Sequence, residues 1–95
     1  MAKKYELMVI YSPTLDAEQM EATQTRVQDL INNNGELGHV DDWGRRRLAY
    51  EIEDQTEGHY QVMTFEAEAD APREIERVLQ IMNGVMRYMT TLVEE

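Results

Sequence analysis

Three consecutive guanidinium groups, Arg45, Arg46 and Arg47, stand between Trp43 and Tyr50 in the stretch DDWGRRRLAYEI, Asp41 to Ile52. An arginine side chain offers a planar fork of N–H donors that meets phosphate oxygens bidentately and stacks on flat rings. Neighbouring aromatic rings add surfaces on which bases can stack. The chemistry on offer is recognition of a polyanion, with no covalent step. The run also has a plainer reading, since charge on an edge strand keeps that edge from pairing with other chains. Its placement is notable either way. Three of nine Lys and Arg residues sit at one point, in a chain with 19 Asp and Glu and a formal net charge of −10.

Other reactive groups do not assemble into a catalytic pattern. The two histidines, His39 and His59, have no cysteine to join them, and Asp41 and Asp42 are only near in sequence. That is a poor basis for a metal site. The absence of cysteine also excludes a disulfide framework and thiol catalysis, and suits a reducing compartment. Asp41, Glu51 and Glu53 resemble paired carboxylates for acid–base work, but carboxylates this dense fall near one another by chance. Ser12 is the only serine and Pro13 follows it, and no glycine-rich phosphate loop exists. The seven methionines occupy apolar positions of strands and helices and read as core filler. No enzyme activity, cofactor, metal or small-molecule substrate is expected. The acidity argues against indiscriminate nucleic-acid binding, yet it permits a local basic face.

The elements that position these residues follow from periodicity. With 95 residues the chain is expected to form a single domain over 1–95. Lys4 to Tyr11 alternates as a strand, with Leu7, Val9 and Tyr11 on one face and Met8 and Ile10 on the other. Asp16 and Gln19 make a capping-box pattern for a helix that ends at Asn32-Asn33-Asn34-Gly35, with Gly35 placed in the left-handed position after it. Glu36 to Ile52 reads as extended, with a bulge at Trp43-Gly44. Beyond the bulge, Leu48, Tyr50 and Ile52 share one face and Arg45, Arg47, Ala49 and Glu51 the other, with Arg46 opposite to its neighbours. The first set reads as core, with the Tyr50 hydroxyl at the rim, and Arg45 and Arg47 as an outward pair. Glu53 to Gly58 is expected to be a polar connection, and His59 to Glu66 a third strand. Asp70-Ala71-Pro72 opens a second helix with Asp70 as its cap. Ile75, Val78, Leu79 and Met82 keep its period, and Asn83-Gly84 closes it. Val85 to Val93 is the last strand.

The order β-α-β-β-α-β, with right-handed crossovers, predicts an α+β ferredoxin-like sandwich. Its four-stranded antiparallel sheet has strand order 4-1-3-2, with both helices on one face and the other face open to a partner. The longest apolar run, Leu7 to Tyr11, falls far short of the roughly 20 residues of a membrane span. Lys3 and Lys4 are not followed by an apolar signal segment. A soluble, non-exported protein without membrane contact is expected.

Gly44-Arg45-Arg46-Arg47-Leu48-Ala49-Tyr50-Glu51-Ile52, with its Asp-Trp-Gly lead-in, resembles the signature of the bacterial small-subunit ribosomal protein six family. The opening Lys4-Tyr5-Glu6, the passage Gly58-His59-Tyr60 and the junction Asn83-Gly84-Val85-Met86-Arg87 resemble it too. The similarity spans essentially the whole chain. It implies the same ferredoxin-like fold and a non-catalytic place in the cytoplasmic ribosome. It implies two partners: small-subunit ribosomal protein eighteen and, jointly with it, the central domain of the small-subunit ribosomal RNA. Arg45, Arg46 and Arg47, with Lys3, Lys4 and Arg87, would then make the RNA contacts. The chain departs from the family pattern at Glu51, where proline is commonest, and at Glu53 and Asp54, where lysine is usual. Each departure removes or opposes positive charge beside the arginines.

Two other classes share this fold. One is an enzyme or small-molecule-binding dimer enclosing a pocket, and a pocket enzyme would place a histidine or carboxylate among apolar residues on the open sheet face. The other is a protein-interaction module that takes no RNA and uses its arginines only to guard an edge.

Overall fold

The computed structural model describes residues 2–52 and 55–94. The elements are β1 (Lys3–Tyr11), α1 (Ala17–Asn34), β2 (Glu36–Ile52), β3 (Gln55–Ala67), α2 (Ala71–Leu79) and β4 (Val85–Glu94). The strands form one four-stranded sheet in the order β2-β3-β1-β4, the expected order read from its other edge. Every pairing is antiparallel: β1 with β3, β1 with β4, and β2 with β3.

Side-chain alternation along β1 divides the sheet into two faces. Tyr5, Leu7, Val9 and Tyr11 join Met63, Phe65 and Ala67 of β3 in one buried cluster with Val27 and Ile31 of α1 and Ala71, Ile75, Leu79 and Met82 from α2 and the turn after it. Both helices therefore cover this face. Leu30 and Val78, at the edge of the helical stripes, are only partly buried against the cluster. Lys4, Glu6, Met8 and Ile10 take the helix-free face.

Local rules account for most element ends. The Gln19 N–H donates to Asp16 Oδ1 at 2.7 Å and the Asp16 N–H to Gln19 Oε1 at 3.1 Å, so the capping box forms as its sequence prescribes. Pro72 lies in the first turn of α2. Asp70 precedes that helix but makes no side-chain cap bond, because its own backbone is already helical at φ −89°, ψ −12°. Gly35 is extended at φ 179° rather than left-handed. A Cβ there would run into Glu66 O and Ala67 Cβ, so close approach to β3 is what requires glycine. The expected polar connection from Glu53 to Gly58 is shorter than its composition suggests. Glu53 and Asp54 lie outside the described residues, while Gln55 to Gly58 already belong to β3, with Ile52 opposite Gln55 and Arg46 opposite Gly58. Cross-strand pairing with β2 outweighs weak β-propensity here.

Tyr11 is fully buried and its hydroxyl donates to Gln61 Oε1 at 2.9 Å. Burial, and secondarily the Asp42 carboxylate, push this phenol well above its ordinary value. A tyrosine in the unfolded chain ionises near pH 10. As pH rises past that point the unfolded state releases the proton while the folded state keeps it, so stability falls with increasing pH. Denaturant midpoints measured between about pH 8 and 11 should therefore decline less steeply in Tyr11→Phe than in the parent. An identical slope would show that Tyr11 does not govern the alkaline limit.

Candidate functional site

A bulge in β2 organises the arginine segment. The β2–β3 register shifts between Asp42 and Gly44, and Gly44 has φ +75°, which favours glycine. Asp42 Oδ1 accepts the Gly44 N–H at 2.9 Å and lies 2.6 Å from His59 Nε2. One carboxylate thus fastens the bulge and ties it to β3. The extra residue, Trp43, stacks on Tyr60 with ring centroids 6.3 Å apart and planes 8° from parallel. Its indole N–H donates to Asp41 Oδ2 at 3.0 Å.

Tyr60 pairs with Ile10, so this stack lies on the helix-free face. Arg46, opposite Gly58, joins it there, its guanidinium carbon 5.2 Å from the Trp43 ring centroid. Arg87 pairs with Ile10 across β1 and β4 and emerges on the same face, 5.2 Å from the Tyr50 ring centroid. Tyr50 and Arg87 also line a groove of about 270 Å³ on this face, formed mainly by Met8, Ile10, Leu48, Tyr60 and Met89.

Leu48, Tyr50 and Ile52 do share a face, as their parity predicts, but it is this open one and not the helix-facing core. Leu48 is buried against Ile10 outside the main cluster, and Tyr50 is 57% exposed. The physical reason is that the open face carries its own apolar residues from β1 and β4, and the end of β2 folds onto them. Arg45 and Arg47 consequently project from the opposite, helix-side face of the β2–β3 ladder. Arg45, opposite His59, donates to Pro13 O at 3.2 Å and sits 3.7 Å from Glu57 Oε1. Arg47 is exposed opposite Glu57.

The six expected RNA-binding residues therefore fall into three places. Arg46 and Arg87 share the helix-free face, each over its own aromatic ring, Trp43 and Tyr50. Arg45 and Arg47 share the other side of the same ladder. Lys3 and Lys4 pair with Ala67 and Glu66 at the far end of β1. At about 3.3 Å per residue they stand roughly 20 Å from Arg87 along the sheet. Tyr60 and Met89 do not stand out in the sequence as site residues. The alternation of Tyr60 with Val62 and Thr64 carries the signal, once Tyr60 is paired with Ile10.

The histidines do not converge. His59 is bound to Asp42, while His39 is exposed about five residues further along the ladder, its N–H donating to Thr64 Oγ1 at 2.9 Å. Among the described residues no three His, Cys, Asp or Glu side chains come together as a metal site. Purified protein is expected to carry no stoichiometric metal and to keep its melting temperature in chelator. Elemental analysis finding about one zinc or iron per chain would overturn this.

The fold and this surface define a class: a ferredoxin-like α+β protein whose helix-free sheet face presents two ring-stacked cations and an apolar groove. Residues 4–91 match the family model described as Ribosomal protein S6. The chain is 40% identical over 94 residues to the small ribosomal subunit protein bS6 of Desulfitobacterium hafniense, covering 98% of this chain and 99% of that one. It is 42% identical over 90 residues to the protein of that name from Carboxydothermus hydrogenoformans, covering 94% of each. The crystal structure of 30S ribosomal protein S6 from Thermotoga maritima matches with a TM-score of 0.91 at 28% identity, covering 98% of this chain and 89% of that one. The chain belongs to the ribosomal protein S6 family. It is accordingly a ribosomal protein of the small subunit, at work in translation on the cytoplasmic ribosome.

Proposed function

We propose that the protein is a non-catalytic component of the small subunit that binds the central domain of the small-subunit ribosomal RNA jointly with small-subunit ribosomal protein eighteen. The observation that carries this reading is the surface chemistry of the arginine segment. In a chain of net charge −10, Arg46 and Arg87 are held over aromatic rings beside an apolar groove, with Arg45 and Arg47 behind them. Guanidinium groups suit phosphate oxygens. Exposed apolar and aromatic residues such as Tyr50 and Met89, which are 57% and 53% exposed, suit a protein partner. One chain can then serve both at once, the RNA at the cations and the protein at the groove. Its remaining acidity favours a basic partner by steering association.

Reconstitution tests the proposal. The chain is expected to enter a complex with small-subunit ribosomal RNA when protein eighteen is present, and not when RNA is offered alone. Binding to protein eighteen with no RNA in any mixture would replace the proposal with the pure protein-interaction reading. Failure to bind either would remove it.

A further inference from the structure

We propose that Asn83 is a site of spontaneous deamidation in the folded protein, and that the second Asn-Gly pair, Asn34-Gly35, is protected by the fold. Asn83 is exposed in the turn between α2 and β4. Among the described residues its side-chain amide has no hydrogen-bond partner, and no carbonyl accepts the Gly84 N–H. Asn83, which carries the electrophilic Cγ, is exposed, and Gly84, which carries the nucleophilic nitrogen, is half-buried in the same turn. Glycine at 84 adds no Cβ to hinder their approach.

The fold also fixes this pair in place. Gly84 has φ +93°, and a Cβ there would come within 3.0 Å of Leu15 Cδ1 and 3.4 Å of Thr23 Oγ1. Its carbonyl accepts the Ser12 N–H at 2.8 Å, linking the end of β1 to the start of β4. A side chain at 84 is therefore strained by both backbone and space. The residue that exposes Asn83 to attack is one the packing requires.

The step balances without any cofactor. The Gly84 amide nitrogen loses its proton to base and attacks Asn83 Cγ. A C–N bond forms, the Cγ–Nδ2 bond breaks, and the side-chain nitrogen leaves as ammonia, giving a cyclic succinimide. Water then opens either carbonyl of the ring, yielding aspartate or isoaspartate. The net change is amide plus water to carboxylic acid plus ammonia. One more negative charge is added four residues before Arg87.

Asn34 differs in exposure, being half-buried, and in the bonding of its side-chain amide. It is the last residue of α1, its Nδ2 donates to Leu30 O at 2.9 Å, and Gly35 is pressed against Glu66 and Ala67 of β3. Its reaction must wait for the helix end to open and Gly35 to separate from β3. Conversion at Asn34 is therefore expected to be slower than at Asn83 by about tenfold or more, since each tenfold corresponds to about 1.4 kcal/mol of opening.

Peptide mapping of the full chain after incubation at mildly alkaline pH reads both sites, in the tryptic peptides Val78–Arg87 and Val27–Arg45. Native protein should gain the amide-to-acid mass at Asn83, with both aspartate and isoaspartate products, the latter labelled by isoaspartyl methyltransferase. Chain unfolded in denaturant should convert at both asparagines at comparable rates, and Asn83→Gln should lose the native-state signal. Equal native rates at the two sites, or no conversion at Asn83, would overturn the inference. Formation of aspartate without isoaspartate would overturn the succinimide route.

Discussion

Truncating Leu79 to alanine lowers the free energy of unfolding by about 2–5 kcal/mol. Leu79 ends α2 at 1% exposure, one turn after the fully buried Ile75, and both lie in the single cluster between helices and sheet. The nine residues of α2 are too few to be stable alone, so packing of this stripe holds the helix on the sheet. Alanine is the better helix former, but the gain is only tenths of a kcal/mol and does not offset a cavity. The control is Ile81→Ala, two residues on and 75% exposed, which should change stability by less than about 0.5 kcal/mol. Urea midpoints read both variants at constant m-value. Equal midpoints for the two would mean that the helix period does not mark the core.

Leu79 is legible because the 3.6-residue period of Ile75, Val78, Leu79 and Met82 is a local property that the rest of the fold only reinforces. The Asp16–Gln19 capping box and the bulge at Gly44 are local in the same sense. Sequence alone does not settle which face of the sheet each strand gives to the helices. Parity groups Leu48, Tyr50 and Ile52 correctly, and the assumption that an apolar set must face the helices then places them wrongly. Their partners, Met8, Ile10 and Met89, lie on strands distant in sequence, so the second apolar surface exists only in the assembled sheet. Gly35 and Asp70 depart from expectation for the opposite reason. Each residue type fits its expected cap, but the close approach of β3 and the helical backbone at Asp70 decide the geometry instead.

The same inversion changes what the arginines can do. Replacing Arg45 and Arg47 with alanine should weaken assembly with RNA and make its salt dependence shallower, by about 0.7–0.9 in the slope of log K against log salt for each phosphate that is no longer neutralised. Of the two, Arg47 is the freer to reach a phosphate. Among the described residues its side chain has no hydrogen bond or ion pair, whereas that of Arg45 is shared with Pro13 O and Glu57. Folding should change little, because the Arg45–Glu57 pair is exposed and such pairs contribute modestly. Replacing Arg46 and Arg87 removes cations from the opposite side of the ladder, along with their stacking on Trp43 and Tyr50. Titrations between about 50 and 200 mM salt separate the two pairs, since phosphate neutralisation dominates the change in that range. A shallower slope in both double variants means RNA embraces the β2–β3 arm from two sides. A shallower slope only in Arg46→Ala with Arg87→Ala places RNA on the helix-free face alone. An unchanged affinity and slope in both variants would remove the arginine segment from the RNA interface and leave Arg45 to Arg47 the simpler task of keeping the β2 edge from pairing with another chain.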